Sequence, residues 1–241
     1  MTGARLPRLY VETELRPRTR FELPQGAAHH AARVLRLAEG DALVLFDGRG
    51  GEYVACLAMA GRVVAAETGE RSDPERESPL EVTLVQALST SDKMDLTIQK
   101  AVELGVAAIH PVISAKSVVR LSAEREAKKL AHWRRIAIAA CEQCGRNRVP
   151  EIREPVALER YRATEPSSKI LLSPSGTGRL ADLAKAPLTL AAGPEAGFSA
   201  DEERMLLRAG FVPVRLGPRI LRTETAALAA LAALNALAGD F

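Results

Sequence analysis

Ala191-Ala-Gly-Pro-Glu-Ala-Gly-Phe198 and Leu216-Gly-Pro-Arg-Ile-Leu-Arg-Thr-Glu-Thr-Ala226 are two glycine-bearing loops separated by one short helix signal. Each follows a short apolar run of β type, 188–192 and 211–215, and each leads into a helix. In that geometry the strand ends deliver backbone amides around a nucleotide-like ligand. Ordinary strand-to-helix turns are the competing reading of the loops taken alone.

Working outward, strands and helices alternate through the C-terminal two-thirds. The run 80–86 is followed by a helix over 92–104, with Ser91 or Asp92 as its N-cap and Gly105 as its stop, and 106–113 is the next strand. Ser122 caps a long helix reaching about Gly145, and strands follow at 169–172, 188–192 and 211–215. Ser199-Ala-Asp-Glu202 is a capping box, and Gly210 closes its helix. A last helix over 224–238 has Leu228, Leu231, Leu234 and Leu237 every three residues, for the core or for a subunit interface. The alternation predicts an α/β fold with a mostly parallel sheet, whose ligands bind beyond the carboxyl ends of its strands.

The N-terminal third reads differently. Short apolar runs at 9–11, 43–46, 53–57 and 62–66, broken by Pro24, Gly40, Asp47-Gly48 and Gly61, predict a small β-barrel interrupted by a helix over 27–37. His29 and His30, near the start of that helix, either contact RNA or are structural. The polar stretch Gly69-Glu-Arg-Ser-Asp-Pro-Glu-Arg-Glu-Ser-Pro79 reads as an interdomain linker, giving domains over 1–70 and 80–241.

The 241 residues are 47% apolar, enough for packed cores, and no run approaches the roughly 18 apolar residues that cross a bilayer. With no signal-peptide pattern, a cytoplasmic location is the expectation. Three cysteines do not make a disulfide framework. Cys141-Glu-Gln-Cys144 is formally a CxxC, but the four histidines do not supply the remaining ligands of a zinc site, and no metal is expected. Leu130, Trp133, Ala137, Cys141 and Cys144 instead fall on one helical stripe. Net charge is +3, yet residues 5–36 hold seven Arg against three Glu, and residues 114–153 ten Lys or Arg against four Glu. Two basic segments suit a polyanion, and each is equally readable as a solvated face.

The usual phosphate-binding signatures are absent: Gly48-Arg-Gly50 lacks its third glycine, and there is no Walker-type motif. Neither a Ser-His-acid set nor an acidic metal cluster accompanies the loops. What stands close in sequence is Glu195, Arg219, Arg222 and Glu224, suited to orienting a polar ligand or an RNA phosphate. Glu224 also has a structural reading, since an acid in a first helical turn is favoured by the helix dipole.

Four segments carry a resemblance: Lys93-Met-Asp-Leu-Thr-Ile-Gln-Lys-Ala-Val-Glu-Leu-Gly105, Glu142-Gln-Cys-Gly-Arg-Asn-Arg-Val-Pro150, Gly193-Pro-Glu-Ala-Gly-Phe198 and the 216–226 segment. In this order they resemble the RsmE family of 16S ribosomal RNA uridine-N3 methyltransferases, within the SPOUT superfamily. His30-Ala-Ala-Arg-Val-Leu-Arg36, Gly40-Asp41 and Phe46-Asp-Gly48 are similar to that family's PUA-like RNA-binding domain. Two positions depart from the pattern: Ala196 where Gly is usual and Cys144 where Ser is usual.

The resemblance implies a C-terminal trefoil knot whose loops bind S-adenosyl-L-methionine through Gly193, Pro194, Glu195, Gly197, Leu216, Gly217, Ile220, Leu221, Arg222 and Thr225. It implies a homodimer acting on 16S rRNA of the small ribosomal subunit, and the basic N-terminal segment offers Arg5, Arg8, Arg18, Arg20, Arg33 and Arg36 as candidates to face the RNA. For the chemistry, Glu142 and Glu195 are candidate bases, and Arg146 or Arg222 a candidate stabiliser of the uridine anion. The alternative is that water takes the proton. A non-catalytic ribosome-assembly protein, or an enzyme of this superfamily with a different RNA target, are the competing functions.

Overall fold

A computed structural model describes residues 6–61, 63–117, 123–163 and 167–241. Arg5, Arg62 and Ser122, singled out in the sequence, lie outside those residues. The chain divides into two compact units, one of Met1–Glu77 with Cys141–Val149 and the other of Ser78–Ala140 with Pro150–Phe241.

The first unit contains β1 (Arg8–Tyr10), β2 (Arg20–Glu22), α1 (Gln25–His29), β3 (Ala42–Phe46), β4 (Glu52–Ala60) and β5 (Val63–Ser72). Its sheet runs β1-β3-β4-β5-β2, antiparallel except for the β1/β3 pair. Tyr53, Ala55 and Leu57 point into the core from β4 while Val54 and Cys56 face solvent, the two-residue period of a half-buried strand. Together with Leu9, Leu43, Leu45, Ala31 and Ala66 they form one apolar cluster, giving the barrel-like β unit that the short runs predicted. The predicted 27–37 helix is shorter and starts earlier. After α1 the backbone widens into a π turn over His30–Val34, with the Leu35 amide donating to the His30 carbonyl.

The expected linker is also revised. Residues 69–72 belong to β5, where Arg71 and Ser72 pair with Tyr53 and Glu52, and the unit boundary falls after Glu77. A ladder is held by backbone groups, so a strand whose side chains face water tolerates charge on every residue.

The second unit contains β6 (Val82–Ala87), α2 (Ser91–Glu103), β7 (Ala108–Ile113), α3 (Ala123–Cys144, its last turn counted with the first unit), β8 (Glu151–Ile152) and β9 (Val156–Ala157). It continues through β10 (Ser168–Leu172), α4 (Leu180–Leu183), β11 (Leu188–Ala192), α5 (Ala200–Arg208), β12 (Val212–Val214) and α6 (Thr223–Ala238). The sheet is parallel, in the order β12-β10-β11-β6-β7-β8, with β9 also on β7. All five residues of β11 are buried, as expected of a central strand covered on both faces. The helix after β6 has Thr90 at its N-cap position, without a side-chain cap bond, ahead of the expected Ser91 or Asp92.

α6 packs against α2, α4, β6 and β11. Its buried face is Thr223, Glu224, Ala227, Ala230, Leu231, Leu234 and Asn235, a 3.6-residue stripe. The three-residue leucine ladder winds around the helix instead, so Leu231 and Leu234 are fully buried whereas Leu237 is 51% exposed. Asn235 anchors the stripe by donating to the Leu104 carbonyl at the end of α2 (2.8 Å) and accepting from the Ser78 hydroxyl (2.6 Å).

Beyond β10 the chain folds back along β12. The amides of Ser173 and Gly178 donate to the carbonyls of Val214 and Pro213, and a Cβ on Gly176 would lie 2.6 Å from the backbone of both Pro213 and Val214. Only glycine fits that approach. The carboxyl ends of β12, β10, β11 and β6 are therefore side by side, and the loops leaving them share one rim.

Candidate functional site

At that rim lies a cleft of about 140 Å³. Residues 172–174 after β10, 192–195 with Gly197 and Phe198 after β11, and 214–216 with 219–221 after β12 form its walls, with Thr223 and Ala226 from α6 and Glu203 from α5. Leu172, Phe198, Val214, Leu216, Ile220 and Leu221 make much of the lining apolar, while loop backbone and the side chains of Glu195, Glu203, Arg215 and Arg219 supply polar groups. Such a lining takes a flat heterocycle with polar edges and a polar tail.

The loops are pinned by hydrogen bonds from their neighbours. The Thr223 hydroxyl donates to the Gly193 carbonyl (2.5 Å) and accepts from the Gln86 amide (3.0 Å), tying α6, the 193–198 loop and the end of β6 together. A Cβ on Gly193 would stand 3.1 Å from the Phe198 amide nitrogen, so the loop closes on itself tightly there. Lys116 donates to the Ala196 and Phe198 carbonyls (3.3 and 3.2 Å). The predicted capping box is present: Ser199 Oγ accepts from the Glu202 amide, and Glu202 accepts from the Ser199 amide. The buried Glu202 carboxylate also accepts from the Ala115 amide (2.7 Å), which no sequence signal announced.

A second cavity of about 260 Å³ shares Glu195, Ile220, Leu221 and Thr223 with the first and adds Lys93 and Arg222. Glu195 accepts from Lys93 Nζ at 2.9 Å and, at 3.4 Å, from the Thr90 amide. Partial burial pushes its carboxyl up, but the Lys93 bond and the backbone amides outweigh that and hold it below the usual carboxylate range. Among the described residues no hydrogen bond or ion pair engages the exposed guanidinium groups of Arg215, Arg219 or Arg222.

Of the residues expected around a cofactor, Gly193, Pro194, Glu195, Gly197, Leu216, Ile220 and Leu221 line the first cleft and Arg222 the second cavity. Gly217 sits in the loop with φ +75° but outside both linings. Thr225 is exposed on the first turn of α6, and the threonine that enters both linings is Thr223. The phase of the helix was the available signal: residues 223, 227, 230 and 234 share its buried face, and 225 lies off it.

Glu142 and Arg146 belong to the first unit and are committed there. Glu142 accepts from the Tyr10 amide (2.9 Å) with the His30 ring 3.9 Å away, and burial, opposed by that amide, raises its carboxyl. Arg146 is buried and paired with Glu77. Arg8, expected on an RNA-facing surface, is 7% exposed: it donates to Glu52 (2.5 Å) and to Asn147 Oδ1 (2.6 Å). Burial would raise the Glu52 carboxyl, but Arg76 and Arg8 hold it at about 2. Arg18, Arg20, Arg33 and Arg36 are exposed, Arg18 in a surface pair with Glu70.

Cys141 is buried in the α3 stripe, and burial pushes its thiol up to about 12, which suits packing rather than thiolate chemistry. Cys144 is only partly buried. Among the described residues no group of three or more His, Cys, Asp or Glu is arranged to hold a metal, and no helix is long and apolar enough to cross a membrane.

Residues 76–235 match the RNA methyltransferase domain family, and residues 23–63 match the RNA methyltransferase PUA domain. The chain is 36% identical over 241 residues to a ribosomal RNA small subunit methyltransferase E of Buchnera aphidicola subsp. Schizaphis graminum, covering 98% of both chains. It is similar to the crystal structure of a ribosomal RNA small subunit methyltransferase E from Neisseria gonorrhoeae bound to S-adenosyl methionine (39% identity, TM-score 0.91, 98% of this chain and 99% of that one). A putative methyltransferase from Legionella pneumophila in complex with the same cofactor aligns with TM-score 0.94 at 40% identity, over 99% of this chain and 100% of the other.

Proposed function

This chain belongs to the RNA methyltransferase family that includes ribosomal RNA small subunit methyltransferase E, and from that we propose that it methylates N3 of a uridine in 16S rRNA of the small subunit, using S-adenosylmethionine. The observation that carries the reading is the cleft at the carboxyl ends of β10, β11 and β12. Its apolar walls suit an adenine, and the tight Gly193 turn, where a Cβ would stand 3.1 Å from the Phe198 nitrogen, holds the loop backbone on the rim.

Gly193, Pro194, Gly197, Leu216, Ile220 and Leu221 hold the cofactor, with Thr223 fixing the loop that touches it. Bound there, S-adenosylmethionine supplies an electrophilic methyl group on a sulfonium. The protein's task is to place N3 in line with that methyl and to make N3 nucleophilic. A neutral uridine N3 carries a proton, and as the proton leaves, negative charge spreads onto O2 and O4. Arg222, uncommitted beside the cleft, is placed to stabilise that charge through charge-assisted hydrogen bonds. The proton passes to solvent.

The same family reading makes the approach of the 173–178 segment to Pro213 and Val214 part of a trefoil knot, and makes the working form a cytoplasmic, metal-independent homodimer. Arg18, Arg20, Arg33 and Arg36 supply phosphate contacts from the first unit, where the PUA match lies.

Methyl transfer from labelled S-adenosylmethionine to small subunits purified from cells lacking the enzyme, followed by nucleoside mass spectrometry, tests the assignment. Labelled 3-methyluridine is the expected product. Intact cofactor binding without transfer points to another RNA target, and loss of both points to an RNA-binding protein.

A further inference from the structure

The second cavity has a chemistry of its own. It is bounded by the start of α2, the 193–198 loop and the 220–223 segment, and three charged side chains face it: Lys93, Glu195 and Arg222. Several other charged groups on the elements around it are engaged, whereas Arg219 beside Ile220 has no side-chain partner among the described residues and the buried Glu224 after Thr223 has one oxygen, Oε2, without a partner. Asp92 is engaged by Thr90 and by backbone amides at the start of α2, Asp95 pairs with His132 at 2.8 Å, and Lys129 donates to Ser91 at 3.3 Å.

Of the three facing groups, the carboxylate is engaged through Oε1, which accepts from Lys93 Nζ and the Thr90 amide. An ammonium has three donors, and the bond to Glu195 takes one. The cavity therefore presents two cationic donor groups, the Lys93 ammonium with its two remaining N–H bonds and the free Arg222 guanidinium, with an apolar wall of Ile220 and Leu221. Ile220 is 84% exposed, so that apolar wall is open to solvent.

We propose, on the reading of the protein as a uridine-N3 methyltransferase, that this cavity receives the target uracil: Lys93 and Arg222 take its two carbonyl oxygens, and Glu195 is the positioning residue that aims Lys93. A uracil anion carries its charge on O2 and O4, one on each side of N3, and two cationic donors match that pattern. Cytosine presents an amino donor in place of O4, which would set a donor against one of the two cationic donors. Glu195 is thereby not the base: held ionised by Lys93, it is a weak proton acceptor, and its work is orientation. N3 loses its proton to water, forms its bond to the methyl carbon, and the carbon–sulfur bond breaks with its electron pair left on sulfur.

The experiment is single-turnover methylation of small subunits across pH by wild type, Lys93→Met, Lys93→Arg and Glu195→Gln, with calorimetric S-adenosylmethionine affinity for each. Lys93→Met is expected to slow transfer about 100-fold near neutral pH, the magnitude usual for losing one donor to a developing anion, with cofactor affinity unchanged. Its rate then climbs with pH beyond the point where wild type levels off, because hydroxide supplies the anion that Lys93 no longer stabilises. Subunits carrying 5-fluorouridine, whose N3 is more acidic, restore much of the loss. Lys93→Arg keeps most of the rate, and Glu195→Gln moves the profile in the same direction as Lys93→Met but less far. A Lys93→Met enzyme with the wild-type pH profile and no response to fluorouridine overturns the site, as does a loss of cofactor affinity that accounts for the whole loss of rate. Absence of 3-methyluridine from the wild-type reaction overturns the functional reading and this proposal together.

Discussion

One hydroxyl, that of Thr223, joins the last helix, the loop after β11 and the end of β6. Thr223→Val keeps the shape and removes the donor, leaving the Gly193 carbonyl and the Gln86 amide short of a partner at a cost of about 1–3 kcal/mol. We expect cofactor affinity by calorimetry to fall about tenfold and thermal stability to drop, with Thr223→Ser retaining most of both. At this scale the sequence was partly legible. Gly193, Leu216 and Ile220 were readable from loop chemistry and family likeness, and the structure places them on the cleft. The choice of Thr225 over Thr223 was not, because two like residues two apart on a helix differ only in phase. Arg8 was misread for a related reason: sequence counts a charge but not its partner, and Glu52 and Asn147 lie 44 and 139 residues away.

At the level of elements, local signals were reliable and shared ones were hidden. Ser199-Ala-Asp-Glu202 announced the start of α5, and both reciprocal bonds are present. The bond from the Ala115 amide to Glu202 joins segments 87 residues apart and leaves no periodic trace. Two substitutions separate these roles. Ser199→Ala removes the cap and is expected to cost about 1 kcal/mol in urea denaturation. Glu202→Ala takes the acceptor from the amides of both Ser199 and Ala115 at a partly buried site, and is expected to cost about 2 kcal/mol and to loosen the cofactor loop. Equal costs would mean that the Ala115 bond contributes nothing. β5 was cut short in the sequence reading because polarity was taken for irregularity, although a ladder asks only for backbone.

For the whole molecule, the change from short β runs to alternating strands and helices marked two units, but not that one of them is discontinuous. Residues 141–149 return to the first unit: Asn147 and the Arg146 carbonyl accept from Arg8, Arg146 pairs with Glu77, and the Val149 amide donates to the Gly48 carbonyl. A fragment of residues 1–77 lacks these partners and leaves a buried arginine partly uncompensated, a situation that costs about 3–5 kcal/mol when a buried pair is broken outright. It should give poorly dispersed amide resonances and no cooperative melting transition; a sharp transition would show that the returning segment is dispensable. The consequence reaches beyond stability. A domain encoded in one stretch can be moved between genes by a single recombination event, whereas this unit, which carries the PUA match, is written in two stretches separated by 63 residues of its neighbour. Any exchange of this unit between relatives, in nature or by design, has to move both stretches at once, so the two units are inherited together as one object.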